Sequence, residues 1–257
     1  PLFRVRRGGG EARLVFLPQF LHFMGERIPL RIEREKGNQG ELMVNSTLVL
    51  ANKNYSSWSL RAWLVCTHAG LAFEEVVIPL RESATHEAIL CYTPSGKLPV
   101  LVHGDVTVWD SLAICEYVAE LFPAAGLWPA EGLARAHARA VSSEMHSGFL
   151  NLRRNMPMNI RSSSPGLGMT PEVQEDINRI TAIWRECRKA SGGDFLFGDF
   201  TIADAMFAPV VSRLLTYGVE LGENASSYAE VIMNMPMMQA WVAEAKDEPW
   251  IIPDFEF

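Results

Sequence analysis

A proline inside a short apolar run constrains the fold of this chain more than any other feature. Residues 98–102 read Leu-Pro-Val-Leu-Val and follow a turn-forming Thr-Pro-Ser-Gly cluster. Gly104-Asp105 comes next, a pair typical of hairpin turns, and residues 106–108 resume the apolar pattern. Because proline has no N–H to donate to a sheet, Pro99 belongs at the mouth of a strand. We therefore expect a β-hairpin whose first strand has a proline at its start.

Strand and helix patterns alternate around this hairpin. The apolar run at residues 48–50 predicts a buried strand, and residues 73–80 predict a second one. Between them, apolar residues recur at helical spacing over 58–69, and Gly70 stands where a glycine ends a helix. After the hairpin, an Asp-Ser pair caps a helix that reaches Leu121. With a short helical segment before the hairpin, the expected order is βαβαββα.

This order, with a proline at the mouth of the third strand, resembles the thioredoxin-like domain of the cytosolic glutathione transferases. Four motifs in the same order carry the resemblance, which covers about residues 47–250. They are Ser56-Ser57-x-Ser-x-Arg61, Pro94-x-Gly96-Lys97-Leu98-Pro99-Val100, Asp110-Ser111-x-Ala113-Ile114 and Thr201-Ile202-Ala203-Asp204. The resemblance implies the fold of that family, an α/β thioredoxin-like domain followed by an all-α domain.

The first motif implies a catalytic hydroxyl, because the serine-type classes of the family carry theirs at the position of Ser56. A free thiol has a pKa of about 8.5 and is mostly protonated at neutral pH. A hydroxyl that donates to the sulfur, together with the positive end of the following helix, favours the thiolate. Lowering the pKa by about two units corresponds to roughly 2.7 kcal/mol. Ser57 is the second candidate, and the alternative for both serines is a plain helix cap.

The other motifs imply a site for the rest of glutathione. Pro99 matches a cis proline of the family, which leaves the N–H and C=O of Leu98 free to bind the cysteinyl backbone as an added strand. Asp110 and Ser111 match positions that bind the ammonium and carboxylate of the γ-glutamyl group, although the family more often has Glu than Asp. Lys97 is placed to reach the glycyl carboxylate. A plain Asp-Ser cap and a solvated lysine are the alternatives.

Composition excludes several other functions. The net charge of −7 and the absence of a basic cluster with interleaved aromatic residues argue against nucleic acid. No apolar run approaches the roughly 18 to 20 residues that cross a bilayer. The four cysteines form no C-x-x-C pair, which favours reduced thiols over disulfides or a zinc site and predicts a cytoplasmic protein without a metal. They are Cys66, Cys91, Cys115 and Cys187.

The first 42 residues differ from the rest of the chain. They carry eight basic and five acidic residues, whereas the remainder carries 15 basic and 25 acidic residues. Their interrupted apolar patch lacks a small-residue cleavage site, so a secretory signal is not expected. Because the first expected strand begins just after Met43, we expect residues 1–45 to be an extra segment. It is either non-native, with Met43 as the true initiator, or a disordered or loosely docked arm.

A connector containing proline and glycine, residues 121–130, separates the first domain from a helical remainder. We place the domains at 46–124 and 131–257. Thr201 and Asp204 have the spacing of a capping box. We expect helices over residues 132–156, 171–190, 205–217, 228–235 and 237–246. The tail after Pro249 is expected to pack back over the first domain.

The second substrate of such an enzyme would bind between the domains, against the first helix of the second domain. The residues that we expect there are Met145, Phe149 and Arg153, with His146 and Arg154 beside them. Arginines at this wall would favour an acidic co-substrate.

The resemblance thus implies a glutathione transferase that uses glutathione as co-substrate against a small electrophile or peroxide, and it also implies a homodimer. Glutathione-dependent cis-trans isomerisation is the alternative within enzymes. It is disfavoured because Trp58 stands where the maleylacetoacetate-isomerase-like members have a cysteine. A binding module that keeps the fold without catalysis is the alternative from another class.

Overall fold

The computed structural model describes residues 5–6 and 45–256. Its sheet has the order β1-β3-β2-β4-β5. The strands are β1 Val5–Arg6, β2 Ser46–Leu50, β3 Glu74–Val77, β4 Val100–His103 and β5 Val106–Trp109. Strands β2 and β3 are parallel, whereas the other neighbouring pairs are antiparallel. This mixed sheet confirms the expected thioredoxin-like arrangement, and the hairpin from β4 to β5 turns at Gly104 with φ 59°.

The two faces of the sheet are covered by different helices. The helices of this α/β part are α1 Ser57–His68, α2 Thr85–Leu90 and α3 Ser111–Leu121. Because side chains alternate across a strand, Leu48 and Leu101 belong to the core shared with α1 and α3. Val49 and Val100 face the other way and pack with Ile89 of α2. The apolar run of β2 is therefore buried on both sides.

The rest of the described chain is helical, which confirms the predicted fold class. It consists of α4 Gly132–Ser147, α5 Leu150–Asn155, α6 Pro171–Ser191, α7 Ile202–Thr216, α8 Glu223–Asn234 and α9 Pro236–Asp247. Short 3-10 turns lie at Pro123–Ala125 and Pro253–Phe255. Helix α7 is buried along nearly its whole length and packs against both α1 and α4. It joins the helical part to the α/β part.

The expectation of one continuous helix over residues 132–156 is wrong. Helix α4 ends at Ser147, Gly148 is extended, and Phe149 has φ 58° before α5 begins. A Cβ at Gly148 would lie 2.7 Å from the carbonyl oxygen of Glu144, so the break requires glycine. The guanidinium of Arg153 donates to three carbonyls at the end of α4. It replaces the backbone donors that a continuing helix would supply.

The capping box at the start of α7 is confirmed. The completely buried carboxylate of Asp204 accepts from the Thr201 N–H at 2.9 Å and the Thr201 hydroxyl at 3.0 Å. It also accepts from the Leu196 N–H at 3.0 Å and the Tyr228 hydroxyl at 3.1 Å. Burial raises the pKa of Asp204 to about 6, although these donors act in the opposite direction.

Three further expectations concern the chain as a whole. All four cysteines are free, with Cys91 exposed and the others buried. In the described part of the chain, no helix has the length and hydropathy needed to span a membrane. The tail does pack on the α/β part, since the ring of Phe255 lies 6.0 Å from that of Tyr55. The predictions for residues 1–45, including Met43, fall outside the described residues except for the backbone of β1 and residue 45.

Candidate active site

Ser56 is the N-cap of α1, immediately after the loop that follows β2. Its Oγ accepts from the Ser59 N–H at 3.2 Å and donates to the Ser59 hydroxyl at 2.9 Å. Ser56 is only 6% exposed, so its hydroxyl lies at a buried helix N-terminus. Ser56 therefore caps α1 and also occupies the position predicted to be catalytic. The positive N-terminal end of α1 lies beside its hydroxyl.

Ser57 has a different partner. Its Oγ accepts a hydrogen bond at 3.2 Å from a guanidinium nitrogen of Arg213, which lies on α7. Arg213 is anchored there, because its Nε donates to the Met156 carbonyl at 2.9 Å. The Ser57 hydroxyl thus accepts from a buried cation, and this leaves its own proton available for an acceptor such as a thiolate.

The predicted cis proline is present. The Leu98–Pro99 bond is cis, Pro99 is buried and Leu98 is partly exposed. Lys97, next to them, is exposed.

Asp110 and Ser111 open α3 in an unusual conformation. Asp110 has φ 75° and ψ 132°, a region that costs a non-glycine residue of order 1–3 kcal/mol. One oxygen of its carboxylate accepts from the Leu112 N–H at 2.9 Å, and the other lies 3.2 Å from Nε2 of His146 on α4. The Oγ of Ser111 is buried and has no hydrogen-bond partner among the described residues. The strain and the unsatisfied hydroxyl lie side by side, as expected where a ligand is bound.

The N-termini of α1 and α3 meet at His146. The imidazole that contacts Asp110 also meets the ring of Trp58 edge-on, with ring centroids 5.1 Å apart. Its Nδ1 is a second buried atom without a partner among the described residues. Burial lowers the pKa of His146, so the imidazole is neutral at physiological pH and its contact with Asp110 is a hydrogen bond.

Two guanidinium groups lie on Trp58. The guanidinium carbon of Arg61 is 4.6 Å from the ring centroid, and that of Arg153 is 4.8 Å from it. Arg61 is completely buried, while Trp58 and Arg153 are partly exposed. We call Trp58, Arg61, Arg153 and Arg213 the interdomain arginine cluster, because α1, α5 and α7 each contribute to it. Burial lowers the pKa of all three arginines, to about 9 for Arg213.

The residues predicted to hold the second substrate lie around this cluster. Arg153 is part of it. Phe149 is 8% exposed, and Met145 is completely buried in the core beneath. Arg154, the next residue on α5, is exposed.

The loop before Ser56 is held by the end of the chain. The backbone N–H groups of Lys53 and Asn54 donate to the carboxylate of Glu248 at 2.7 and 3.0 Å. The hydroxyl of Tyr55 accepts from Arg161 at 2.9 Å and from the Ile252 N–H at 3.2 Å. The loop is therefore fixed by residues that lie between 106 and 197 positions away in the sequence.

A charged cluster extends this clamp. The ammonium group of Lys53 lies 2.6 Å from Glu75 and 2.8 Å from Glu244, and it rests over the rings of Trp63 and Trp241. A cavity of about 60 Å³ lies beside it. Because two carboxylates neutralise Lys53, we assign the cluster a structural role in joining the two parts. Within residues 45–256, no group of three or more His, Cys, Asp or Glu is arranged to hold a metal.

Sequence reasoning missed the contacts that link the two parts. It placed Ser56 and Ser57 in one motif, but it did not connect Ser57 to Arg213 or Arg61 to Trp58. One signal was available: Arg213 is the only charged residue between Ala205 and Tyr217 in an otherwise apolar segment. A cation inside a buried helix needs a partner or a function.

Comparison with known proteins agrees with this arrangement. Residues 55–121 match a family profile described as the N-terminal domain of glutathione S-transferase. A probable maleylacetoacetate isomerase from Caenorhabditis elegans is 27% identical over 180 residues, 70% of this chain and 84% of its own length. Glutathione S-transferase 1 from Dianthus caryophyllus is 29% identical over 175 residues, 65% of this chain and 78% of its own.

A solved structure shares the fold. It is a glutathione transferase homolog from Burkholderia with bound glutathione, with a TM-score of 0.62 and 24% identity, covering 80% of this chain and 100% of its own. The fold and the site define a class of protein in which a thioredoxin-like unit meets a helical unit at the N-termini of α1 and α3. Residues 55–121 thus match the N-terminal domain of glutathione S-transferases, and the described chain shares the fold of a solved homolog of these enzymes.

Proposed function

We propose that this protein is a glutathione transferase that binds glutathione on its thioredoxin-like part and presents the thiolate to a small electrophile. One observation carries the proposal: a strained Asp110 and an unsatisfied Ser111 hydroxyl open α3 beside the N-terminus of α1. Two helix N-termini and an exposed carboxylate are what the zwitterionic γ-glutamyl group of glutathione requires. The Burkholderia homolog holds glutathione on the same fold.

In this proposal each end of glutathione has its own partner. The carboxylate of the γ-glutamyl group accepts from Ser111 and from the first N–H groups of α3, and its ammonium group pairs with Asp110. The cysteinyl backbone pairs with Leu98, which is partly exposed beside the buried Pro99. Lys97 pairs with the glycyl carboxylate. The carboxylate of Asp110 then contacts both the ammonium group and His146.

Ser56 is our first candidate for the hydroxyl that stabilises the thiolate. Its proton, which it now donates to Ser59, turns to the sulfur, while the Ser59 N–H continues to donate to its oxygen. Ser57 is the second candidate, because Arg213 occupies its oxygen and leaves its proton free. With either hydroxyl, the N-terminal end of α1 contributes a positive potential at the sulfur.

The thiolate then attacks the second substrate. On a carbon that bears a leaving group, a C–S bond forms, the leaving group departs with its electron pair, and the thiol proton passes to solvent. Phe149 and Arg153 form the wall that holds this substrate, over the buried Met145. Peroxide reduction begins with the same thiolate and ends with glutathione disulfide after a second glutathione reacts.

Two other functions have specific support. The resemblance to a probable maleylacetoacetate isomerase favours glutathione-dependent isomerisation, against which stands Trp58 in place of a cysteine. A binding module without catalysis is the second alternative, supported by the coverage of Ser56, which is 6% exposed.

The wider setting follows from the proposed activity. We propose that the two parts are separate domains, 46–124 and 131–257, in a cytoplasmic homodimer that detoxifies electrophiles. Exposed apolar side chains near β5 and α3 support an interface between two copies, because such residues are costly to leave in water. They are Val106, Trp109, Leu121 and Leu133. Analytical ultracentrifugation gives the mass of the assembly directly.

Calorimetric titration with glutathione, followed by turnover of electrophiles and peroxides, tests the function. We expect binding in the millimolar range or tighter, and a loss of at least tenfold in kcat/KM for Ser56→Ala. No binding at millimolar glutathione favours the module, whereas turnover confined to maleylacetoacetate favours the isomerase.

A further inference from the structure

Arg61 is a buried cation that lacks most of its hydrogen bonds. Arg61 is completely buried. Among the described residues only its Nε has a hydrogen-bond acceptor, the Met206 carbonyl at 3.1 Å. Both terminal nitrogens, the pair that binds a carboxylate side by side, have no partner among the described residues. Leaving buried donors without an acceptor is unfavourable, so an uncompensated guanidinium needs an explanation.

The surroundings of Arg61 raise this cost. Arg153 and Arg213 repel it, and Asp110, the one carboxylate among the described residues that raises its pKa, has only a small effect. Within residues 45–256, none of the three arginines forms an ion pair with a carboxylate. Buried cations without counter-ions are rare unless an anion binds to them.

We infer that the interdomain arginine cluster binds a carboxylate of the second substrate, so that the enzyme acts on acidic electrophiles. Arg153 forms the accessible edge of this site, and the terminal nitrogens of Arg61 form its floor. Trp58 lies against both guanidiniums and is itself partly exposed. It provides an apolar face for the body of the substrate.

The position of the cluster assigns the anion to the second substrate and not to glutathione. This inference rests on the proposed function, in which both carboxylates of glutathione already have partners at Ser111 and Lys97. Arg153 and Arg213 come from the helical part, which forms the wall for the electrophile. Two more polar atoms on that wall are buried without a partner among the described residues. They are the hydroxyl oxygen of Ser142 and Nδ1 of His146.

A matched pair of substrates tests the inference. The probes are 4-chloro-3,5-dinitrobenzoate and its methyl ester, which share a leaving group and differ in charge. Relative to the uncatalysed rates, we expect kcat/KM for the acid to exceed that for the ester at least tenfold. Arg61→Met and Arg153→Gln should each lower the ratio of kcat/KM for the acid to kcat/KM for the ester at least tenfold.

Two controls separate charge from folding. Arg154→Gln removes the same charge from the neighbouring, exposed residue of α5 and should leave both substrates unaffected. The calorimetric affinity for glutathione and the circular dichroism of each variant report on the fold. Direct binding of 3,5-dinitrobenzoate and its methyl ester, which cannot react, measures the site without chemistry.

The possible failures are distinguishable. If glutathione does not bind to the wild-type protein, the proposed function is overturned. If glutathione binds but the acid and the ester behave alike, in turnover and in direct binding, the inference alone is overturned. Equal losses for both substrates in Arg61→Met would mean that Arg61 acts on the thiolate, and this result also contradicts the inference.

Discussion

Asp110 is the residue at which strain and binding chemistry meet. Its φ of 75° is unfavourable for any side chain, and its carboxylate both caps α3 and faces His146. Strain of this kind persists where the surrounding structure holds a residue in place for a function. We propose that this function is recognition of the ammonium group of glutathione.

Asp110→Asn separates the cap from the charge. The amide oxygen still accepts from the Leu112 N–H, so we expect the melting temperature to stay unchanged within experimental error. Loss of the charged partner should weaken glutathione binding about tenfold, which corresponds to about 1.4 kcal/mol. Calorimetry measures this change, and Asp105→Asn in the exposed hairpin turn is the control. An unchanged affinity would leave Asp110 as a helix cap alone.

The sequence could identify the site residues of the α/β part but not their partners. Ser56, Pro99 and Asp110 stand in local motifs, each fixed by a turn or a helix start nearby. The contact of Ser57 with Arg213 joins residues 156 positions apart. No local pattern encodes such a pair, since only the packing of α7 against α1 brings it together.

Helix α7 is the element whose stability depends most on a single group. The carboxylate of Asp204 is completely buried and receives four hydrogen bonds. We expect Asp204→Ala to lower the free energy of unfolding by about 3 kcal/mol or more, because four donors lose their acceptor. Chemical denaturation measures the loss, and glutathione affinity of the folded fraction should remain unchanged.

The raised pKa of Asp204 gives a pH dependence with a defined sign. Its pKa is about 6 in the folded protein against an ordinary value of 3.8, so the native state binds more protons between these values. Stability from this group therefore rises as the pH falls, by about 2 kcal/mol between pH 7 and pH 4.5. Asp204→Asn lacks this contribution, and the exposed Asp199→Asn keeps it. Parallel stability profiles for wild type and Asp204→Asn would contradict this assignment.

Three helix boundaries were predictable from residues with special backbone or capping chemistry. Gly70, Asp110 and the Thr201 box lie at helix ends as expected. The break at Gly148 was not predicted, because the apolar periodicity continues through Phe149. Helix α4 ends just before Gly148, where a side chain would not fit, and the Arg153 side chain folds back onto its last carbonyls. The second of these is a contact that no sequence pattern indicates.

On the scale of the whole molecule, the C-terminal segment holds the loop that positions Ser56. The carboxylate of Glu248 accepts from two successive backbone N–H groups, Lys53 and Asn54. Trp241 donates from its indole to the Lys53 carbonyl at 3.0 Å. The loop that precedes the proposed catalytic Ser56 is thus stabilised by the helical part.

Glu248→Gln should weaken this clamp. The carboxylate accepts one N–H group on each oxygen, whereas the amide has only one oxygen to accept. We therefore expect a loss of about 1–3 kcal/mol in unfolding free energy. We also expect a lower kcat with little change in glutathione affinity, because the loop carries Ser56 and not the γ-glutamyl site. Asp247→Asn, exposed and adjacent, is the control with the same change of charge. Equal behaviour of the two variants would show that the clamp does not position Ser56.

The thiol pKa of bound glutathione tests the central claim most directly, and the absorbance of the thiolate near 240 nm reports it. We predict a pKa about two units below the free value of about 8.5 in the wild-type complex, and a value near that of free thiol in Ser56→Ala. Loss of the shift in Ser57→Ala alone would transfer the role to Ser57. A thiol with an ordinary pKa in the wild-type complex would contradict the account.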